Sequence, residues 1–98
     1  MHTGQPDNWN ERYQTTLAGI DLPQGAEFYA TPSHGYLKVD IRKHHALVSN
    51  YDYWYDADHV LLEEDCSLTM WLAEMNLIPT EPYILNMMKS IKREPAYK

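Results

Sequence analysis

One cysteine and the acids before it are the first candidates for chemistry. Three acidic residues, Glu63 to Asp65, directly precede Cys66, the only cysteine of the chain. A nucleophilic cysteine must lose its proton, which neighbouring acids disfavour, although the start of a helix would favour it. We therefore expect Cys66 to be packed under a helix rather than to act as a nucleophile.

Histidines and acids could instead bind a metal ion. His44, His45 and His59 with nearby acids offer imidazole and carboxylate ligands, which suit zinc and related ions. Adjacent histidines in a helix or strand rarely face the same ion, and the spacing matches no recognisable ligand motif. We therefore assign no metal ligand and no cofactor. A metal-binding module or small metal-dependent enzyme that uses these histidines and nearby acids is kept as the alternative function.

Two pairs of carboxylates could act as a general acid and a general base. They are Asp56 with Asp58 and Glu63 with Asp65. Such pairs are common by chance, and glycosidase-like chemistry would also require a cleft between the two groups. A solvated acidic loop and charges at the start of a helix are the better explanation for both pairs. We assign no catalytic residue and expect that the protein is not an enzyme.

An aromatic and acidic run occupies residues 51–58. Tyrosine and tryptophan are large, stiff side chains that often anchor protein interfaces, although they also cover the ends of sheets. The run has no lysine or arginine, which a stacking platform for single-stranded nucleic acid would need. We predict a partner-binding surface formed by Asp52, Tyr53, Trp54, Tyr55, Asp56, Asp58, Glu63 and Glu64.

The distribution of charge favours a basic partner. The chain has 14 acidic and 8 basic residues, a formal net charge of -6, and no lysine or arginine between His44 and Met88. Outside that span, all the basic residues except Arg12 form two islands, at 38–43 and 89–98. Direct binding to a nucleic-acid backbone is therefore disfavoured. The expected partner is a host protein or nucleoprotein complex with a basic surface.

The elements that position these residues can be predicted in part. The spacing of Trp9, Tyr13 and Leu17 after the potential cap Asn8 predicts a helix within residues 1–25, with a flexible arm as the alternative. Alternating apolar residues predict strands at 26–30 and 36–41, and a short apolar run predicts a third strand at 59–62. Residues 42–50 are read as a short helix and 51–58 as a connection.

Two helices are predicted in the C-terminal region, 65–93. Asp65 or Ser67 is placed to cap the first, and Thr80 to cap the second, which has proline in its first turn. With the sheet region at 26–64, this predicts a single domain over residues 1–98. The expected fold class is α+β, with a small three-stranded antiparallel sheet packed against two or three helices.

Length and composition suggest a cytoplasmic protein. No apolar run approaches the roughly 20 residues that span a bilayer, so no membrane partner is expected. The first ten residues lack the layout of a signal peptide, and a lone cysteine is typical of a reducing compartment.

Two motifs carry a resemblance to a protein class. Residues 31–37 read TPSHGYL, followed by Val39, and residues 62–66 read LEEDC. Together they resemble small uncharacterised proteins of bacteriophages and other mobile elements, over residues 30–72. The resemblance implies a phage-type origin and a location in the host cytoplasm, but no catalytic residue. By analogy with the class, it suggests an inhibitor of host defence, such as an anti-CRISPR protein.

The expected function is therefore that of an acidic, aromatic-rich inhibitor. It would bind a host macromolecule and cover a basic surface that otherwise holds nucleic acid. Complementary charge would speed association, and a few aromatic residues would supply most of the affinity. A homodimer held by the aromatic residues is a further alternative, which changes assembly rather than function.

Overall fold

The fold is that of a computed structural model, which describes residues 1–97. Lys98, the last residue of the second basic island, lies outside the described residues. A single 3-10 turn, Trp9–Glu11, precedes the first strand. The strands are β1 (Tyr13–Thr15), β2 (Ala26–Ala30), β3 (Gly35–Asp40), β4 (Leu47–Val48), β5 (Tyr53–Asp56), β6 (His59–Glu63) and β7 (Glu94–Pro95), and the helices are α1 (Ser67–Glu74) and α2 (Pro82–Ser90).

The main sheet has five antiparallel strands in the order β1-β2-β3-β6-β5, and β4 pairs with β7 in a separate two-stranded sheet. The predicted three-stranded sheet is therefore wrong. The three expected strands correspond to β2, β3 and β6, and β1 and β5 extend the sheet at its two edges. The described chain combines helices with sheets but is mostly sheet.

Strand β5 lies inside the segment that was expected to be a connection. Tyrosine and tryptophan favour strands, because they fit a pleated, partly buried surface. Trp54 packs against the helix-covered core, whereas Tyr53 packs on the opposite face of the sheet. Because both faces accept aromatic residues here, the segment has no apolar and polar alternation by which a strand is usually recognised.

The predicted N-terminal helix is also wrong. Asn8 has a left-handed φ of 61° and makes no capping hydrogen bond, and Arg12 is already extended. Residues 13–15 pair with β2, so their backbone groups bond to the sheet rather than within a helix. Tyr13, expected on the buried stripe, is 60% exposed. Tertiary pairing has overridden a helical spacing of apolar residues.

Two smaller expectations are corrected in the same way. Residues 42–50 contain a turn and strand β4 rather than a short helix. Both C-terminal helices exist, but their N-caps are Cys66 and Glu81, and neither side chain makes a capping hydrogen bond. Pro82 opens α2, as the proline rule predicts.

Helix α1 covers one face of the main sheet. Its Leu68 and Trp71 pack in the same buried cluster as Phe28, Leu37 and Leu62 of the strands. The indole N–H of Trp71 donates a hydrogen bond of 3.1 Å to the carbonyl oxygen of His45, which satisfies the one polar atom of that side chain. This side therefore forms the main hydrophobic core.

The opposite face, which we call the second face, has an aromatic layer of its own. Trp9, Tyr36 and Leu61 are buried there, and Tyr29 and Tyr53 pack against them. Residues 1–15 cross this face as a segment that we call the N-terminal strap. His2 forms a parallel bridge with Tyr53 at the β5 edge, and the strap ends as β1 at the other edge.

Within residues 1–97, no helix is both long enough and apolar enough to cross a membrane.

Candidate binding site

The structure separates the eight residues that were predicted to form one partner-binding surface. Asp52 is fully buried, so it cannot contact a partner directly. Trp54 is half-buried against the helix-covered core. The remaining six lie at three places: the β5–β6 turn, the second face of the sheet and the turn before α1.

Asp52 is the centre of a buried hydrogen-bond network. Its carboxylate accepts hydrogen bonds from the Ser67 hydroxyl at 2.6 Å, the Ser49 N–H at 2.7 Å and the Glu63 N–H at 2.9 Å. Burial raises the pKa of the Asp52 carboxyl, and these donors act against that rise. The network joins the segment before β5 to the end of β6 and the start of α1, which is a structural role.

Asp56 and Asp58 belong to an ion-pair cluster at the β5–β6 turn. His59 Nδ1 lies 2.8 Å from Asp56, and Arg42 lies 2.9 Å from Asp40 and 3.6 Å from Asp58. The hydrogen bonds from Arg42 hold the pKa of the Asp40 carboxyl well below its usual range. These acids thus already have side-chain partners within the chain, which reduces what they offer to another protein.

A cleft of about 280 Å³ opens at the other end of the second face. Three tyrosines, two carboxylates and two histidines line it, and we call it the tyrosine cleft. Tyr53 and Glu63 are the members that the predicted surface included. The lining residues are His2, Asp7, His34, Tyr36, Tyr51, Tyr53 and Glu63.

The strand register brings the inner residues of the tyrosine cleft together. Tyr36 of β3 lies directly opposite Glu63 of β6, and Tyr53 of β5 pairs with the residue two before Glu63. The rings of Tyr36 and Tyr53 are 5.8 Å apart and nearly perpendicular, at 86°. His2 stacks on Tyr53 with ring centroids 4.7 Å apart. Two rigid strands and the strap thus fix the aromatic walls.

The loop between β2 and β3 contributes His34 to the rim of the cleft. The Thr31 hydroxyl oxygen accepts hydrogen bonds from the N–H groups of Ser33 and His34, at 3.2 and 3.0 Å. The side chain of Asn8 in the strap donates to the Ser33 hydroxyl at 2.6 Å. The TPSHGY motif therefore has a structural explanation: its threonine shapes the loop, and its histidine and tyrosine reach the cleft.

Burial controls the protonation of the inner residues. It raises the pKa of Tyr36 to about 12 and raises that of Tyr53, so both phenols stay neutral near pH 7. Burial also raises the pKa of Glu63, which His34 partly offsets. Among residues 1–97, neither Asp7 nor Glu63 has a side-chain hydrogen bond or an ion pair. Both carboxyl groups can therefore form hydrogen bonds with a ligand.

The three histidines of the alternative function do not share a site. His44 Nε2 lies 2.7 Å from the carbonyl oxygen of Gln24, and its ring packs on Trp71. His59 instead lies close to the carboxylates of Asp56 and Asp40. In the part of the chain that the structure describes, no three His, Cys, Asp or Glu side chains are grouped so that they could hold a metal ion.

Cys66 lies under the start of α1, as expected from the sequence. It is buried, and burial raises the pKa of its thiol. A thiol in this environment is a poor nucleophile, because little of it is ionised near pH 7.

Sequence reasoning missed four members of the cleft: His2, Asp7, His34 and Tyr36. It included Tyr51 only as part of the aromatic run 51–55, which was expected to supply contact area. The motif that contains His34 and Tyr36 was noticed only as a pattern shared with other proteins. Placing Tyr36 opposite Glu63 required the pairing of β3 with β6, and placing His2 and Asp7 required the path of the strap. Neither can be read from local periodicity.

Comparisons with known proteins add no relationship. No family model, no curated protein and no solved structure matches this chain. Any functional conclusion therefore rests on the site itself.

Proposed function

We propose that the protein binds a macromolecular partner and that the exposed part of the second face, centred on the tyrosine cleft, contacts a basic surface of that partner. The observation that carries this proposal is the combination of aromatic side chains with two carboxylates, Asp7 and Glu63, that form no hydrogen bond or ion pair within residues 1–97. Tyrosines supply contact area with little loss of side-chain freedom, and they are enriched among residues that dominate binding energy.

The charge of the whole chain supports a basic partner. The formal net charge is -6. Two of the arginines, Arg42 and Arg93, form ion pairs with acidic residues of the same chain. An acidic surface attracts a basic one before contact, which raises the association rate and makes it sensitive to salt. The same charge opposes direct binding to nucleic acid.

The contact surface differs from the one predicted from sequence. Burial removes Asp52, and most of Trp54, from this surface. At the far end of the second face, ion pairs within the chain involve Asp56 and Asp58. Tyr53 and Glu63 remain at its centre, joined by Asp7 and Tyr51 on the cleft rim. Tyr55 lies on the same face, with Lys38 Nζ 4.3 Å from its ring, whereas Glu64 lies outside this surface, in the turn before α1.

The biological role that we propose is more specific than partner binding. An inhibitor of host defence, including an anti-CRISPR protein, would use such a surface to occupy the nucleic-acid-binding surface of a nucleoprotein complex in the host cytoplasm. This part is supported by the motif resemblance over residues 30–72 and by the acidic charge.

The test is affinity capture from a lysate of the cells in which the protein acts, at low and high salt. We expect a protein or nucleoprotein complex with a basic surface at low salt and its loss at high salt. The double variant Asp7→Lys, Tyr51→Ala should reduce its capture about tenfold, which corresponds to about 1.4 kcal/mol.

The matched control is the double variant Glu81→Lys, Tyr83→Ala at the start of α2, away from the second face. It changes the same charge and removes a tyrosine of similar exposure, 60% against 55% for Tyr51. Capture that both variants reduce equally, or that neither salt nor the cleft variant changes, would contradict the proposed surface.

A further inference from the structure

We propose that the tyrosine cleft is a receptor for the guanidinium group of one arginine side chain. The partner that carries this arginine is the one inferred under the proposed function, so the biological part of the assignment rests on that proposal. The chemical part, recognition of a guanidinium group, can be tested without any partner.

The walls of the cleft suit a cation that stacks on aromatic rings. The rings of Tyr36 and Tyr53 are nearly perpendicular, 5.8 Å apart, and Tyr51 on the rim is 55% exposed. The face of an aromatic ring attracts cations through its quadrupole, and the attraction grows as water is excluded. Tyr36 is only 3% exposed and packs against Tyr53, so it lies at the floor of the cleft, and the ring most open to a cation is that of Tyr51.

The two carboxylates of the cleft are complementary to a cation, and the imidazoles of His2 and His34 are the other polar groups of its rim. Asp7 and Glu63 are both on its lining, and the lining formed by residues 1–97 contains no lysine or arginine. Glu63 is half-buried, so its carboxylate has lost part of its hydration without gaining a hydrogen-bond partner there. A bound cation with N–H donors would restore that lost interaction.

The same face of the sheet already binds two cations in this manner. Lys38 Nζ lies 4.3 Å from the centroid of the Tyr55 ring, and Arg12 Cζ lies 4.9 Å from that of Trp9. Each of these aromatic positions is supplied with a cation from the chain itself. The tyrosine cleft repeats the aromatic part of the arrangement, adds two carboxylates, and has no lysine or arginine in its described lining.

The carboxylates favour guanidinium over a quaternary ammonium group. Arginine has five N–H donors in a planar fork, can stack on a tyrosine ring, and is less strongly hydrated than a lysine ammonium. A quaternary ammonium group has no N–H donor, so it would leave Glu63 and Asp7 without hydrogen bonds.

The experiment is a titration of the isotope-labelled full chain, followed by backbone amide chemical shifts. The probe is Nα-acetyl-arginine amide, and its neutral control is the citrulline analogue, which has nearly the same shape without the charge. We expect saturable shifts in the millimolar range at Tyr36, Tyr53 and Glu63 with arginine, and at least fivefold weaker binding of citrulline and of tetramethylammonium.

Two single variants test whether Glu63 and Tyr51 contribute to arginine binding. Glu63→Gln and Tyr51→Ala should each weaken arginine binding at least threefold, whereas the controls Glu81→Gln and Tyr83→Ala should leave it unchanged. Amide spectra of the free variants report whether the fold is retained, and Asp7→Asn on the exposed rim is a third variant if Glu63→Gln perturbs it.

Specific outcomes would overturn the assignment. They are equal binding of arginine and citrulline, tighter binding of tetramethylammonium or of inorganic phosphate, and no response at the cleft at all. If arginine binds there but no basic partner is captured from lysate, the cleft assignment stands and the proposed function fails. If a basic partner is captured but arginine does not bind, the proposed function stands and the assignment of the cleft to arginine fails.

Discussion

Three aspartates within seven residues, Asp52, Asp56 and Asp58, have different surroundings in the folded protein. Asp52 is buried among hydrogen-bond donors, whereas Asp56 contacts His59 and Asp58 contacts Arg42 near a turn. In the sequence all three look like members of one acidic surface. Composition predicted the charge of this region, but it could not predict which carboxylates the chain uses for its own structure, because that depends on strand pairing.

We expect Asp52→Ala to lower the free energy of unfolding by about 3 kcal/mol, since several buried donors would lose their acceptor. Urea unfolding measures the change. Asp21→Ala, at an exposed position without a hydrogen bond to its side chain among residues 1–97, is the control and should stay within about 0.5 kcal/mol of the parent. A loss as small as that of the control would show that the Asp52 network contributes little.

Among the elements, the β2–β3 hairpin was predicted well and the N-terminal segment poorly. The hairpin has local alternation, a proline in its loop and a glycine at the start of β3, all of which can be read from neighbouring residues. The strap has a helical spacing of apolar residues, but its β1 pairs with β2, more than ten residues away. Short segments of this kind are decided by tertiary contacts rather than by propensity.

Gly35 shows how closely the hairpin is packed at its loop. A Cβ atom there would lie 2.6 Å from Phe28 Cζ and 2.7 Å from Glu64 Oε1, and both distances are too short. We expect Gly35→Ala to destabilise the protein by about 2 kcal/mol, because Phe28 belongs to the core and must move.

Gly4→Ala is the matched control, because a Cβ atom there would have no neighbour within 4 Å. The two variants should therefore differ in urea midpoint. Equal midpoints would mean that Phe28 can move at no cost and that the hairpin is more adaptable than its packing suggests.

The whole molecule consists of a sheet with a different cover on each face. Helix α1 packs over one face, and the strap covers part of the other through Trp9, which is only 3% exposed. The sequence predicted the helices and the main apolar strands, but it gave no sign that the second face also had to be covered. A tryptophan near the start of the chain was the one available indication, and it was assigned to a helix.

We expect Trp9→Ala to lower the free energy of unfolding by about 3 kcal/mol, through the loss of its buried surface. Amide hydrogen exchange should accelerate in the strap and at Tyr36 and Leu61, and much less in α2. Tyr13→Ala removes an aromatic residue that is 60% exposed and should change neither measurement appreciably. Uniform acceleration across the chain would instead indicate that the strap and the rest unfold together.

The path of the strap also has a consequence for folding kinetics. Its two ends attach to opposite edges of the sheet, His2 beside β5 and β1 beside β2, so its binding surface exists only after the other four strands, β2, β3, β6 and β5, have assembled. The hairpins β2–β3 and β5–β6 are local in sequence and can form early, because closing a short loop costs little entropy. Docking of the strap is then a late event, after the rate-limiting transition state. A weakened strap should accelerate unfolding while the folding rate hardly changes.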